Sequence, residues 1–371
     1  MRIGVPKEIK DNEYRVGLTP ACVRELVSRG HQVMVEAGAG AALGLSDAQY
    51  VAAGATLAAD AKAVYDLAQM IVKVKEPQPG ELALLKPGQI LYAYLHLAAD
   101  RELTAALVKS GAVCIAYETV TGHDGGLPLL APMSEVAGRM SVQVAAACLG
   151  KPHGGMGLLL GGVPGVAPAH VVVIGAGVVG INAVRIAVGM GARVTVLDKN
   201  IDRLRQLDAM HGNEVVTIYS SADSVERALL SADAVIGAVL VPGAEAPKLI
   251  TRAMVAHMKP GSVLVDVAID QGGCAETSRP TSHTDPTYVV DGVLHYCVTN
   301  MPAAVARTST FALNNATIGY AMVLADKGWS RALADDPCLR AGLNVCRGSV
   351  TYPAVASAHG YVHVPAKVVL H

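Results

Sequence analysis

The sequence predicts an α/β protein: two Rossmann-like, doubly wound parallel-sheet domains with an interdomain cleft, the first domain being discontinuous. Three observations predict it. Short apolar runs alternate with helical stretches, the pattern of parallel strands joined by crossover helices. The 371 residues suggest about two domains, at ~100–200 residues each. Apolar residues make up 52% of the chain and aromatic residues only 4%. The core must therefore be built from Ala, Val, Leu and Ile, which suits parallel sheets under close-packed helices.

The expected strands of the first half are 2–5, 32–36, 70–75, 90–95 and 113–117. Thr19-Pro20 starts a helix after the first of them, with Thr as N-cap and Pro at the first helical position. Gly38-x-Gly40-x-x-x-Gly44 has the wrong spacing for a phosphate loop and reads as a turn. Residues 134–149 read as one helix that bridges the halves. Residues 151–168, rich in Gly and Pro, mark a boundary. The second series of strands is 171–174, 193–197, 215–219, 234–239, 262–267 and 288–290 with 294–298. Ser221 or Ser224 opens a helix among them. Beyond about 307 the pattern turns helical, at 308–327, 331–342 and 349–358, with no strands of its own. This tail is expected to pack back on the first sheet or to bridge. The domains are then 1–130 with 307–371, and 131–306.

Composition excludes several function classes. The 30 basic and 31 acidic residues nearly cancel, so nothing points to nucleic acid or an anionic membrane as partner. The seven cysteines show no paired spacing for zinc or redox chemistry. Free thiols fit a reducing, cytoplasmic setting. Residues 154–184 carry no charged side chain, a length able to span a bilayer. Their glycines, two prolines and His170 favour a loop, a buried strand and a helix start instead. Val323 and Lys327 share a helix face, so no metal-ligand pair is seen there, and no metal is expected.

The strongest motif is the run from Val171 through Gly175-Ala176-Gly177-Val178-Val179-Gly180, a buried strand entering Gly-x-Gly-x-x-Gly and then a helix. Gly175 permits the tight turn, Gly177 lets a pyrophosphate approach, and Gly180 lets helix and strand pack closely. The helix N-terminus adds free N–H groups for phosphate. The next strand ends at Asp198, 18 residues beyond Gly180, where an acid holds ribose hydroxyls. A carboxylate there repels a 2′-phosphate, which predicts NAD rather than NADP; the neighbouring Lys199 slightly weakens the preference. Strand ends at 237–240 and 266–270 are further places for a nicotinamide to lie.

Several stretches together resemble the alanine dehydrogenase family. They include Gly4-Val5-Pro6-Lys7-Glu8, Asn12-Glu13-Tyr14-Arg15-Val16, Val72-Lys73-Val74-Lys75-Glu76-Pro77 and Leu95-His96-Leu97-Ala98. Others are Pro132-Met133-Ser134-Glu135-Val136-Ala137-Gly138-Arg139, Asp266-Val267-Ala268-Ile269-Asp270-Gln271-Gly272-Gly273 and Asn300-Met301-Pro302. The resemblance covers nearly the whole chain. It implies reversible, NAD-dependent oxidative deamination of L-alanine to pyruvate and ammonia, by a homo-oligomer, commonly a hexamer.

The same resemblance assigns roles. Arg15 binds the substrate carboxylate, a task suited to a bidentate guanidinium; a surface arginine paired with Glu13 is the other reading. Lys75 contacts the carboxylate or keto oxygen. Residue type cannot separate it from Lys73, two positions away on the same side of an extended strand; the family motif selects Lys75. His96 is the general acid/base, as an imidazole can be near neutral pH. Asp270 is the second catalytic residue, orienting water or balancing charge, while Asp266 reads as structural. NAD contacts carry over to Ser134, Val178, Val179, Asp198, Arg203, Ser220, Val239, Leu240, Val267, Val298, Asn300 and Met301. Related opening segments occur in nicotinamide nucleotide transhydrogenases, so a soluble NAD-binding subunit of such an enzyme is the alternative. A nucleotide sensor without turnover is the third reading.

Overall fold

The computed structural model describes residues 1–239 and 246–370. The chain forms two compact units, residues 1–133 with 305–371 and residues 134–304. The first begins with six strands: β1 (Arg2–Val5), β2 (Gln32–Glu36), β3 (Thr56–Ala58), β4 (Met70–Val72), β5 (Ile90–Ala93) and β6 (Val113–Ala116). The second contributes β7 (His170–Ile174), β8 (Arg193–Asp198), β9 (Val215–Tyr219), β10 (Ala234–Gly237), β11 (Val263–Asp266), β12 (Thr287–Val290) and β13 (Val293–Tyr296). The tail adds β14 (Leu343–Cys346) and β15 (Ser349–Val350) to the first unit.

The first sheet runs β15-β14-β6-β5-β4-β1-β2-β3 and the second β12-β13-β11-β10-β7-β8-β9. Pairing is parallel except at one edge of each sheet, where β12 pairs with β13, and β14 with β6 and β15, antiparallel. The predicted α/β class with two parallel-dominated sheets is what the chain adopts. The purely helical tail is not. Leu343-Asn344-Val345-Cys346 is fully buried and extends the first sheet past β6, because a short apolar run fits a sheet edge as well as a helix face. β3 was also unforeseen: three residues, two of them exposed, give no alternation to read.

Local chemistry explains the elements that carry the site. Thr19 caps the helix Pro20–Ser28, accepting from Cys22 N, with Pro at its start. A Cβ on Gly4 would meet Val64 Cγ1 at 2.6 Å, so β1 accepts the helix Ala61–Leu67 closely; Asp60 caps that helix. Ser221, not Ser224, is the N-cap of the helix Ala222–Ser231. The 38–44 glycines form a turn ending in left-handed Gly44. Asp291 and Gly292, both at positive φ, make the two-residue turn between β12 and β13 that a hairpin twist favours. Both sheets bury aliphatic cores under their helices, Ile71, Leu91, Leu95 and Leu107 in one and Val172, Val235, Ile250 and Leu264 in the other. Among the described residues, no helix is long and apolar enough to cross a membrane.

Candidate active site

In the first unit the candidate residues stand beside a close backbone approach. A Cβ on Gly17 would stand 2.4 Å from the Val72 carbonyl oxygen, so glycine lets this segment lie against the end of β4. Asn314, on the helix Ala306–Lys327, then ties the segment down. It accepts from Thr19 N at 2.7 Å and donates to Val16 O at 3.3 Å. Arg15 is thereby held inside, 2% exposed. Its Nε and Nη2 donate to the two Glu13 oxygens at 2.7 and 2.6 Å. Its Nη1 points at Met133 Sδ, 3.0 Å away. Burial works against the guanidinium charge, but Glu13 outweighs it and the pKa lies above its ordinary value. The Glu13 pairing considered for a surface arginine exists, but both partners are buried.

Lys73 and Lys75 separate at once. β4 stops at Val72, so strand alternation does not relate them. Lys73 is fully buried, with Nζ 2.8 Å from Glu81 Oε1 and 3.1 Å from Glu8 Oε2. Burial pushes its pKa down, yet the two carboxylates prevail and hold it above the ordinary value. Burial in turn raises the Glu8 pKa despite Lys73. Lys75 keeps 11% side-chain exposure and lies 3.6 Å from Glu76 Oε2. Burial disfavours the Glu76 carboxylate, but Lys75 and Lys10 together bring its pKa below normal. Lys73 is a fully buried, doubly paired cation; Lys75 is the partly exposed one.

His96 stands three residues beyond the end of β5, with an exposed side chain and a left-handed backbone, φ 50° and ψ 39°. Its ring stacks on Tyr94, centroids 5.9 Å apart and planes 10° apart. The Tyr94 hydroxyl donates to Leu129 O, and Tyr94 N donates to Val74 O at 3.0 Å. Tyr94 also feels the Arg15 charge, although burial dominates and pushes its phenol pKa up. Lys75 and His96 thus follow the adjacent parallel strands β4 and β5, and Arg15 acts on the same Tyr94 from the segment before Gly17.

The second unit contains the nucleotide-type turn. β7 enters Gly175, at φ 107°, whose added Cβ would meet Ala238 O at 2.6 Å. A Cβ on Gly180 would fall 1.8 Å from Gly175 O, which forbids any side chain there. Around Gly177 a Cβ would find, among the described residues, only Arg203 Nη1, at 3.8 Å. Among the described residues the turn is therefore tight at its first and last glycines and less crowded at the middle one. Gly177 is the N-cap of the helix Val178–Gly189 and supplies no side-chain cap, so its first amides suit an anion. Asp198 closes β8; its Oδ2 accepts from Ala176 N at 2.6 Å and its Oδ1 from Asn200 N at 2.7 Å. Ser220 N donates to Asp198 O at 3.0 Å. The helix Ala131–Cys148 reaches this turn through Gly138, where a Cβ would meet Val179 O at 2.2 Å. Ser134 lies four residues earlier, on the same helix face.

Asp266 ends β11, fully buried. It accepts from Ala268 N, Cys274 N and Ser278 Oγ at 3.1, 2.8 and 2.5 Å, and so shapes the short helical turn Val267–Gln271. Asp270 lies in that turn rather than at the strand end, and is exposed. Its Oδ1 accepts from the backbone N of Asn300 at 3.3 Å; Asn300 is left-handed, φ 58°. Val239 and Val267 are half-buried beside these strand ends, while Val298 and Met301 are buried. Leu240 lies outside the described residues. The second unit thus gathers Asp270, Asn300 and the glycine turn along the carboxyl ends of its parallel strands, where dinucleotides bind. Sequence reasoning missed Glu8, Glu118 and Asn314. Glu118 had a readable signal, an acid directly after a strand as at Asp198; Asn314 had none, being one polar residue in a helix that is packed on several sides.

Comparison with known proteins adds to this geometry. Residues 4–137 match the family described as alanine dehydrogenase/PNT, N-terminal domain, and residues 141–353 the corresponding C-terminal domain. An alanine dehydrogenase from Halomonas elongata is 63% identical over 366 residues, 99% of each chain. The solved structure of an L-alanine dehydrogenase matches with TM-score 0.94 at 52% identity, over 97% of this chain and 99% of that one. A transhydrogenase from Sinorhizobium meliloti matches with TM-score 0.81 at 26% identity, over 95% and 100%.

Proposed function

The chain belongs to the alanine dehydrogenase/PNT family, and on that premise we propose that it catalyses the reversible NAD-dependent oxidative deamination of L-alanine. It is an oxidoreductase of the nicotinamide-dependent type, and the transhydrogenase reading rests on a distant relative alone. The observation that carries the proposal is the placement of Arg15, Lys75 and His96 about Tyr94 in one unit, the last two just past the ends of adjacent strands.

The substrate's carboxylate goes to Arg15 and Lys75. Glu13 fixes one edge of the guanidinium, and Nη1 faces a thioether, a weak acceptor that a carboxylate outcompetes. When bound, NAD accepts the hydride that leaves the α-carbon. Loss of that hydride and of an amine proton leaves an imine, which water converts to pyruvate and ammonia. His96 moves protons at the substrate nitrogen and oxygen. Asp270 orients the water. The nucleotide is held by Ser134, the Gly175–Gly180 turn with Val178 and Val179, Asp198, Arg203, Ser220, Val239, Leu240, Val267, Val298, Asn300 and Met301. Asp198, already bonded to the turn, favours a free ribose hydroxyl over a 2′-phosphate. The enzyme acts in the cytoplasm as a homo-oligomer, a hexamer as the family resemblance implies; exposed Leu159, Val163 and Val166 support such assembly.

Formation of NADH with a panel of amino acids tests this, with NADP run alongside. L-Alanine with NAD should be the preferred pair. His96→Ala should lower kcat by about 10²–10⁴ while NAD still binds. Full turnover in that variant would remove His96 from the mechanism.

A further inference from the structure

We propose that Glu118 is a positioning residue for His96. The inference rests on the reading of His96 as the acid/base group and deepens it.

The backbone of His96 is left-handed, a conformation that a non-glycine residue keeps only where its surroundings enforce it. Glu118 supplies that enforcement. β5 ends at Ala93, and Tyr94 N still finds a partner in Val74 O. The next two amides have left the ladder. The Glu118 carboxylate accepts both: Oε1 lies 2.6 Å from His96 N and 3.3 Å from Leu95 N, and Oε2 lies 3.2 Å from Leu95 N. Bonds from amides to an ionised carboxylate are about twice as strong as neutral ones.

Topology delivers Glu118 there. It sits in the short turn Tyr117–Thr119 directly after β6, which pairs in parallel register with β5, Ala93 opposite Ala116. Two neighbouring strands thus exit together, one bringing the imidazole and the other its clamp. Tyr94 stacks on the ring and is itself fixed through its hydroxyl. The same device recurs beside it. Glu8, just past β1, accepts from Val74 N at 2.6 Å and Lys75 N at 3.3 Å, where the segment after β4 carries Lys75.

The test is a kinetic double-mutant cycle on the full-length enzyme, using Glu118→Ala, Glu118→Gln, His96→Ala and the double variant Glu118→Ala/His96→Ala. NAD binding counts the folded sites in each preparation. Glu118→Ala should lower kcat for alanine oxidation about 10- to 100-fold per folded site, the scale of a small misplacement of a reacting group, with the KM for NAD within about twofold. Glu118→Gln, which keeps an oxygen acceptor for these amides, should recover part of the loss. In the His96→Ala background, removing Glu118 should cost no further activity, because both act through one imidazole. Wild-type kcat in Glu118→Ala, or a full additive loss in the double variant, would overturn the inference while leaving His96 in place. Full turnover in His96→Ala would instead strike the underlying reading, and the inference with it. If Glu118→Ala yields no folded protein, Glu118→Gln with unchanged kcat overturns it equally.

Discussion

Lys73 and Lys75 are two residues apart and stand in opposite surroundings. Lys73 neutralises a buried pair of carboxylates, Glu8 and Glu81, whereas Lys75 retains access to solvent beside Glu76. Removing one partner of a buried ion group costs about 3–5 kcal/mol because the remaining charge is stranded. Lys73→Met should therefore lower the denaturant-unfolding free energy by about that much. Lys75→Ala should leave it nearly unchanged and raise the KM for alanine instead, by about tenfold or more, as loss of a charged hydrogen bond does. Chemical unfolding and steady-state kinetics on the two variants separate them. The reverse pattern would exchange their roles. Nothing in the residue types of this stretch announces the difference, since it depends on Glu8 and Glu81 arriving from other parts of the chain.

At the scale of the element, the helix Ala306–Lys327 does more than cover a sheet. Through Asn314 it satisfies Thr19 N and Val16 O, two backbone groups of the segment that carries Arg15. Asn314→Leu should leave both without that partner, at about 1–3 kcal/mol each, and should raise the KM for alanine more than it changes kcat. An unaltered unfolding midpoint and KM would show that other contacts hold the segment. Elements of this kind mark what sequence could and could not convey. Parallel strands with apolar runs, the Thr19-Pro20 helix start and the glycine turn before Asp198 were all legible, because each rests on a local pattern. β3 and the tail strands β14 and β15 were not, because two to four residues hold too little periodicity. The carboxylate contacts of Glu8 and Glu118 were not legible either, because each joins a strand exit to a neighbour that only the sheet order brings alongside.

For the molecule as a whole, acidity enters through two buried histidines of the second unit. His170 lies between Thr195 and Ser231, and His295 between Thr277 and Val293. Burial is the chief cause that lowers both pKa values from the ordinary 6.5. The unfolded chain therefore takes up protons first as the medium is acidified. Their contribution is complete above about pH 6.5 and is lost as pH falls from there through the lower folded values. Thermal melting followed from pH 7.5 down to 5.5 should show a decline in Tm. Replacing both residues by Gln should flatten that decline; an unchanged slope would assign it to other groups.

The first sheet takes its last two strands from beyond the second unit: β14 and β15 lie at residues 343–350 and cover the side of β6. On the ribosome, residues 134–304 emerge as an uninterrupted stretch and can close their own sheet early, as such units do. The amino-terminal segment, although it emerges earlier, keeps an open β6 edge until residues 343–350 have followed. The sheet that carries Lys75 and His96 at its strand exits is thus completed after the one encoded within it.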